Sequence, residues 1–181
     1  MLKFVTKDKT VITFRKPKIG DAKALLNFIN DLVEEGAQIL RDKKVTLTEE
    51  RAWLDDQIKT IGNGKLILLI AEKNGKIIAT CEVRKRKSKM AHIADFGVAV
   101  RKEYRKKGIG ETISRWVLKE AKRSKIEIIK LKVFEDNEPA KALYRKLGFA
   151  EEATLRNEIK VGKNYKDCIL MSLYLKKIPL R

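Results

Sequence analysis

The stretch VAVRKEYRKKGIG, residues 98–110, decides how the rest of this sequence is interpreted. Small apolar residues typical of a strand are followed by five Lys or Arg side chains and by Gly-x-Gly. Such a segment is either a solvated turn or a binding site for an anion. Because a helix is predicted directly after it, free amides of the first helical turn and the helix dipole favour phosphate binding. A dinucleotide fingerprint is excluded, since its third glycine would fall at Ile113, and no P-loop triplet occurs.

The side chains of this loop fit an anionic ligand. Gly108 and Gly110 have no side chains, so a phosphate group can approach the backbone closely. Arg105, Lys106 and Lys107 add positive charge and hydrogen-bond donors. By itself, however, Gly-x-Gly beside cations also describes many exposed turns.

The composition is that of one basic globular domain. The 181 residues contain 42 Lys or Arg against 24 Asp or Glu, a net charge of +18, which favours anionic partners. The abundance of Lys, Glu and Ile also resembles heat-adapted proteins with charged surface networks. No apolar run approaches the ~18 residues of a membrane span and no signal peptide is apparent, so we expect a cytoplasmic protein without a membrane partner. Cys81 and Cys168 lie in apolar segments, which predicts buried, reduced thiols.

The apolar pattern predicts the element order β-α-α-β-β-β-α-β-α-β-β, a mixed α/β (α+β) fold with helices on the faces of a sheet. Asp21 is the expected N-cap of the first helix. Thr46 and Glu49 have the spacing of a capping box before a second helix, whose expected apolar side is Leu54, Ile58 and Ile61. The predicted strands are residues 10–15, the two arms of a hairpin at Asn74-Gly75, and residues 90–100, 126–134, 153–161 and 165–175.

A second motif is FEDNEPAKALYRKLGF, residues 134–149. Asn137 is placed to cap a short helix, and Pro139 is tolerated in its first turn. Tyr144 follows Asn137 by seven residues, about two helical turns, so both side chains can face the same groove. The alternative is that Tyr144 packs in the core with its hydroxyl at the rim.

Together the two motifs resemble the GNAT superfamily of N-acyltransferases. Its core motif, Gln/Arg-x-x-Gly-x-Gly/Ala, is matched by Arg105, Gly108 and Gly110. Its companion motif, Asn-x-x-Ala-x-x-Leu-Tyr-x-x-x-Gly-Phe, is matched at Asn137, Ala140, Leu143, Tyr144, Gly148 and Phe149. The resemblance covers roughly residues 10–175 and implies one domain over residues 1–181, with a mostly antiparallel sheet of about seven strands and about four helices.

The resemblance further implies that acetyl-CoA is the cosubstrate and that no metal is required. Its diphosphate would bind the glycine loop, and its pantetheine arm would pair with the strand before that loop. The implied cofactor-binding residues are Val98, Ala99, Val100, Arg105, Lys106, Lys107, Gly108, Ile109, Gly110 and Asn137. The Val98 amide would stabilise the oxyanion, and Tyr144 would protonate the departing thiolate.

The base that deprotonates the acceptor is less defined by the sequence. A free alkyl amine has a pKa near ~10.4, so a base or a water chain must remove a proton. Asp95 and Glu82 are the candidate carboxylates, although either fits equally a solvent-facing strand residue. The single histidine, His92, is expected at a strand end on the surface. Lys132 stands where some N-terminal acetyltransferases have a glutamate, which argues against a protein N-terminus as substrate.

The leading hypothesis is acetyl transfer to a primary amine of a small molecule, either an amino acid or a polyamine-like compound. A peptide or protein amine is the second. A nucleic-acid-binding domain is the alternative of another class, motivated by the charge of +18 and by RKRKSK at residues 84–89, but few aromatic residues accompany these cations. A CoA-binding regulator without turnover also stays open. The sequence leaves open the acceptor and the oligomeric state, with a homodimer as one option.

Overall fold

The computed structural model describes residues 2–6 and 8–176 and has the predicted mixed α/β architecture. The strands are β1 Leu2–Val5, β2 Val11–Arg15, β3 Leu66–Lys73, β4 Lys76–Lys85, β5 Ile93–Val100, β6 Ile128–Phe134, β7 Ala150–Val161 and β8 Asn164–Tyr174. The α-helices are α1 Ala22–Glu34, α2 Leu47–Gly62, α3 Ile109–Arg123 and α4 Glu138–Lys146. The expected count of about seven strands omitted β1, which pairs with β2. That residues 1–181 form one domain stays a prediction.

The eight strands form one sheet in the order β1-β2-β3-β4-β5-β6-β8-β7. All neighbours are antiparallel except β5 and β6, which are parallel. The parallel pairing joins only residues 93–95 to residues 128–130. Beyond this point β6 continues to pair with β8, while residues 96–100 of β5 have no strand on that side. The sheet is therefore open at its centre.

The helices cover both faces of the sheet. Helices α1 and α2 bury Leu25, Phe28 and Leu54 against Ile70 and Ile77. Helices α3 and α4 pack with the larger cluster on the other face. None of the helices in the described part of the chain is long and apolar enough to cross a membrane.

Local sequence signals account for several boundaries. The β3–β4 hairpin turns at Asn74 and Gly75 with φ of 49° and 79°, as the Asn-Gly pair predicts. The capping box before α2 is present, because the Glu49 amide donates to Thr46 Oγ1 at 3.3 Å and the Thr46 amide donates to Glu49 Oε2 at 2.7 Å. Asp21 precedes α1 but makes no side-chain cap. Its carboxylate instead accepts hydrogen bonds from Arg15 and from the Lys18 amide.

The buried face of α2 differs in part from the predicted one. Glu50, Leu54 and Gln57 are buried, whereas Ile58 and Ile61 are only partly covered. The predicted apolar side is confirmed at Leu54 and Ile58, which both pack in the cluster with α1. The sequence did not predict that Glu50 and Gln57 also face the protein.

Both cysteines are buried free thiols, as predicted. Burial raises the pKa of Cys81 and that of Cys168. Neither thiol is therefore activated as a nucleophile.

Candidate active site

The open side of β5 presents unpaired backbone groups. The Arg101 amide donates to Ile78 O at 2.9 Å, which fixes the hydrogen-bond pattern between β4 and β5. Because successive residues of a strand point their amides to opposite sides, the Ala99 amide faces β4 and the amides of Val98 and Val100 face the opening. The strand can therefore pair with an extended ligand through these two residues.

The loop that follows β5 ends in a helix N-terminus. Gly108 precedes α3 in a left-handed conformation, with φ of 78°. The backbone amides of residues 106–108 donate to no other backbone group in the part of the chain described here. The amides of the first turn of α3 also lack intrahelical partners, and the helix dipole adds positive potential. This combination can bind a diphosphate.

Two of the three loop cations already have partners. Arg105 donates from Nε to Val100 O at 2.9 Å and forms an ion pair with Glu35. Lys107 Nζ lies 3.3 Å from Asp8 Oδ2. Lys106 has no ion-pair partner within residues 2–6 and 8–176.

Ile109 can contribute to this loop through its backbone alone. Its side chain is buried in the core, so it cannot contact a ligand. Only its backbone amide, in the first turn of α3, remains available for this purpose.

Asn137 begins α4 as predicted. Its Oδ1 accepts a hydrogen bond from the Ala140 amide at 3.2 Å, which caps the helix. The side-chain nitrogen is not used in this cap, so it remains a donor toward the opening.

Tyr144 lies at the same opening and is mostly buried. Its ring makes edge contacts with Phe96 and Phe149, each at a centroid distance of 6.0 Å. Burial raises the pKa of Tyr144 to about 12, so the phenol keeps its proton at neutral pH. The predicted packing role and a proton-donor role are therefore compatible.

Two clefts meet at the opening of the sheet. The large cleft has a volume of about 1190 Å³ and is lined by β5, the glycine loop, α4 and the β1–β2 turn. The small cleft has a volume of about 450 Å³ and is lined by α1, α2, α4 and the strands β3 to β7. Every predicted cofactor-binding residue except Ile109 lines the large cleft. Both clefts share Gln38, Ile39, Val98, Ala99, Asn137, Ala140 and Tyr144.

The two carboxylates predicted as bases differ in position. Glu82 lines the small cleft, and it pairs across the sheet with Gly97, the neighbour of Val98. Its Oε2 lies 3.4 Å from Arg84 Nη2. Asp95 lines neither cleft and is held by Arg86 in a two-pronged ion pair, with Nε at 3.1 and 3.0 Å from its two oxygens. Asp95 therefore lies outside both clefts, whereas Glu82 lines the small one.

Several lining residues were not identified from the sequence. Lys132 was noted only as a departure from a family pattern, but it lines the small cleft and pairs with Glu158. Glu50 and Arg41 also line the small cleft, and Asp8 lines the large one. A signal for Glu50 was available, because it precedes Leu54 by one turn on the buried face of α2.

Comparison with known proteins agrees with this geometry. The family model described as "Acetyltransferase (GNAT) family" matches residues 31–149. The L-amino acid N-acetyltransferase AaaT of Escherichia coli (strain K12) is 29% identical over 107 residues. That match covers 58% of this chain and 65% of AaaT, which is slightly less than two thirds of its length.

Solved structures show the same fold. The Ribosomal-protein-alanine N-acetyltransferase from Brucella melitensis superimposes with a TM-score of 0.80 at 26% identity, covering 90% of this chain and 99% of that one. The structure of yncA from Salmonella typhimurium, solved with its cofactor acetyl-CoA, gives a TM-score of 0.81 at 20% identity, covering 94% and 97%. At the latter identity the similarity concerns the fold alone.

Proposed function

Because this chain belongs to the GNAT family of acetyltransferases, we propose that it transfers the acetyl group of acetyl-CoA to a primary amine of a small molecule. The observation that carries the proposal is the meeting of the two clefts at the open edge of β5. One cleft has the backbone and charge to bind the nucleotide, and the other has a carboxylate that can accept a proton. A thioester and an amine bound in the two clefts would meet beside Val98 and Tyr144.

The residues of the large cleft fit acetyl-CoA. The amides of the glycine loop and of the first turn of α3 would bind the diphosphate, as helix N-termini do. The Val98 carbonyl and the Val100 amide would pair with the amides of the pantetheine arm, and the free amide nitrogen of Asn137 would donate to it. Arg105 and Lys107 would exchange Glu35 and Asp8 for phosphate oxygens. Membership of the acetyltransferase family supports this choice of cosubstrate.

The residues at the junction have complementary roles in the transfer. Bound acetyl-CoA supplies an activated acyl group whose carbonyl accepts the amine. Glu82 would take the proton of the acceptor ammonium, directly or through water. The Val98 amide would stabilise the developing oxyanion, a contribution commonly worth ~3 kcal/mol. Tyr144 would donate its proton to the departing sulfur, because its raised pKa keeps the phenol protonated at neutral pH.

The test is thiol release from acetyl-CoA across a panel of amines, with product mass as a second readout. The panel contains amino acids, linear amines and both basic and acidic peptides. We expect at least one small amine to stimulate thiol release, and Glu82→Gln to reduce this rate without reducing CoA affinity in calorimetry. Binding of CoA without stimulated release by any acceptor would instead support a regulator without turnover.

A peptide amine is the second candidate acceptor. It is favoured by the similarity to a ribosomal-protein-alanine N-acetyltransferase, which at 26% identity covers most of this chain. The peptide arm of the same panel separates the two candidates. If a peptide is acetylated faster than the free amine that carries the same amino group, the peptide amine is the favoured acceptor.

A further inference from the structure

Glu50 is a buried carboxylate in the small cleft. The residue Glu50 is only 5% exposed, and it lies on α2 among the residues that line the cleft. Within residues 2–6 and 8–176 its carboxylate has no hydrogen-bond or ion-pair partner. Burial raises its pKa, and the charge of Arg41 opposes this only in part. Among the described residues, the Glu50 oxygens do not belong to the fully buried polar atoms that lack a partner, so they keep some contact with the cleft. Because most of the surrounding lining is apolar, a cationic group of a ligand would be a favourable partner for this carboxylate.

The other charged side chains of the small cleft either have an oppositely charged neighbour or lie at its margin. Glu82 is next to Arg84, and Lys132 is paired with Glu158. Arg41 is an exposed residue at the margin of the cleft. Most of the remaining lining is apolar, and it includes Phe28 and Trp53. Two carboxylates, Glu50 and Glu82, line this cleft, and Glu50 is the one without an ion-pair partner in the described part of the protein.

Glu50 lies away from the reacting end of the cleft. Like Glu82, it lines the small cleft and not the large one. Glu82, however, pairs across the sheet with Gly97, next to Val98 at the junction, whereas Glu50 lies on α2. Gln57, seven residues later on the same face of α2, hydrogen-bonds Arg84, the neighbour of Glu82. At 1.5 Å per residue, Glu50 is about 10 Å from Gln57 along the helix axis. The position suits recognition of a distant group on the acceptor and does not suit proton removal at the thioester.

We propose that Glu50 binds a second cationic group of the acceptor, which makes the preferred substrate a diamine-type compound with an apolar spacer. This proposal rests on the function proposed above and specifies its substrate class. One amino group would lie beside Glu82 and Val98, the spacer would cross the apolar lining, and the second ammonium would pair with Glu50. An acceptor with a carboxylate at the far end would be repelled by the same residue.

Matched acceptors test the proposal with the wild-type protein. One set consists of hexamethylenediamine, hexylamine and ε-aminocaproate, and a shorter set of putrescine, butylamine and γ-aminobutyrate. Within a set the length is constant while the far group is a cation, a methyl or a carboxylate. In at least one set we expect kcat/KM for the diamine to exceed that of the monoamine about tenfold or more, with the carboxylate compound slowest.

Substitution of Glu50 tests whether this residue causes the preference for the diamine. Glu50→Gln keeps the size of the side chain and removes its charge, so the preference for the diamine should fall to about the statistical factor of two for its two amines. Asp55→Asn, an exposed carboxylate on the same helix, is the matched control and should leave the preference unchanged. Thermal unfolding of each variant verifies folding, and the wild-type panel remains decisive if Glu50→Gln is unstable.

The possible failures are distinguishable. Equal rates for diamine and monoamine, or a preference for the carboxylate compound, would overturn the role of Glu50 while leaving amine acetylation intact. An unchanged preference in a folded Glu50→Gln variant would do the same. Absence of thiol release with every amine and peptide would instead overturn the proposed function and this proposal with it.

Discussion

At the scale of single residues, Tyr144 is the position where an effect on the chemical step can be separated most clearly from an effect on CoA binding. Its phenol is buried at the junction of the clefts, and the raised pKa of about 12 keeps it protonated. Tyr144→Phe retains the ring that packs on Phe96 and Phe149 but lacks the proton. We predict that kcat falls about 10²-fold while CoA affinity stays near that of the wild type. Steady-state kinetics and calorimetry measure the two quantities.

The control for this substitution is Tyr165→Phe, which removes an exposed hydroxyl in β8. It should leave both quantities unchanged. The wild-type pH profile adds a second criterion, because Tyr144 should cause no loss of kcat until the pH approaches about 12. Unchanged turnover in Tyr144→Phe would remove the acid role.

At the scale of secondary-structure elements, the start of α4 combines a structural and a binding role in Asn137. Its oxygen caps the helix while its nitrogen is free to donate. Asn137→Ala should lower the free energy of unfolding by about 1 kcal/mol and also weaken CoA binding. Asn137→Ser retains a cap, so it should restore most of the stability but not the affinity. Urea unfolding and calorimetry distinguish these effects, and wild-type affinity in the Ser variant would show that the amide does not contact the cofactor.

The start of α3 provides a test of the phosphate site. Gly108 has φ of 78°, a conformation that Asn and Asp tolerate better than other residues with side chains. An added Cβ would lie 3.6 Å from Phe4 Cζ, an ordinary contact, so either residue fits. We predict that Gly108→Asp binds CoA at least about tenfold more weakly than Gly108→Asn, because the two differ mainly in charge. Equal affinities, measured by calorimetry, would show that the diphosphate binds elsewhere.

Elements defined by local interactions were predictable from the sequence. The Asn74-Gly75 turn and the capping box at Thr46 depend on neighbours within a few residues, and both are present. The burial of two polar residues of α2 and the strand β1 were not predicted. Glu50 and Gln57 are buried by contacts with the rest of the fold, and the four residues of β1 are too short a pattern to distinguish from a loop.

The residues of the candidate site also divide into those that the sequence predicted and those that it did not. The motif residues of the large cleft follow one another within the two segments that the sequence singled out. The partner of Arg105 is Glu35, seventy residues away, and the small cleft combines α1, α2, α4 and five strands. No spacing rule joins such distant residues, so Asp95 could not be separated from Glu82 until the fold placed one outside the clefts and one inside.

At the scale of the whole molecule, the net charge of +18 coexists with carboxylates that are paired to neighbouring cations. Hydrogen bonds from Lys146 and Lys166 hold the pKa values of Glu111 and Asp136 below their ordinary values. Protonation of these carboxylates would remove the pairs and raise the net positive charge further. The fold should therefore lose stability in acid.

Asp21 is the best-buried carboxylate of this kind and supports a specific prediction. Burial alone would raise its pKa, but hydrogen bonds from Arg15 and from the Lys18 amide hold it below the ordinary value. A folded pKa below the unfolded one means that Asp21 stabilises the fold above pH ~4 and that this contribution is lost as the pH falls through the folded pKa. Asp21→Asn should therefore cost about 2 kcal/mol near neutral pH, or roughly 4–8 °C in Tm.

Thermal unfolding of both proteins from neutral to acidic pH measures this dependence. The difference in Tm between wild type and Asp21→Asn should be largest at neutral pH. It should shrink as the pH falls from ~4 through the folded pKa, because first the unfolded chain and then the folded wild-type carboxyl takes up a proton. Asp55→Asn, which removes an exposed carboxylate, should show a small difference at every pH. A deficit in Asp21→Asn that persists undiminished in acid would mean that packing around the side chain, and not its charge beside Arg15, stabilises this end of α1.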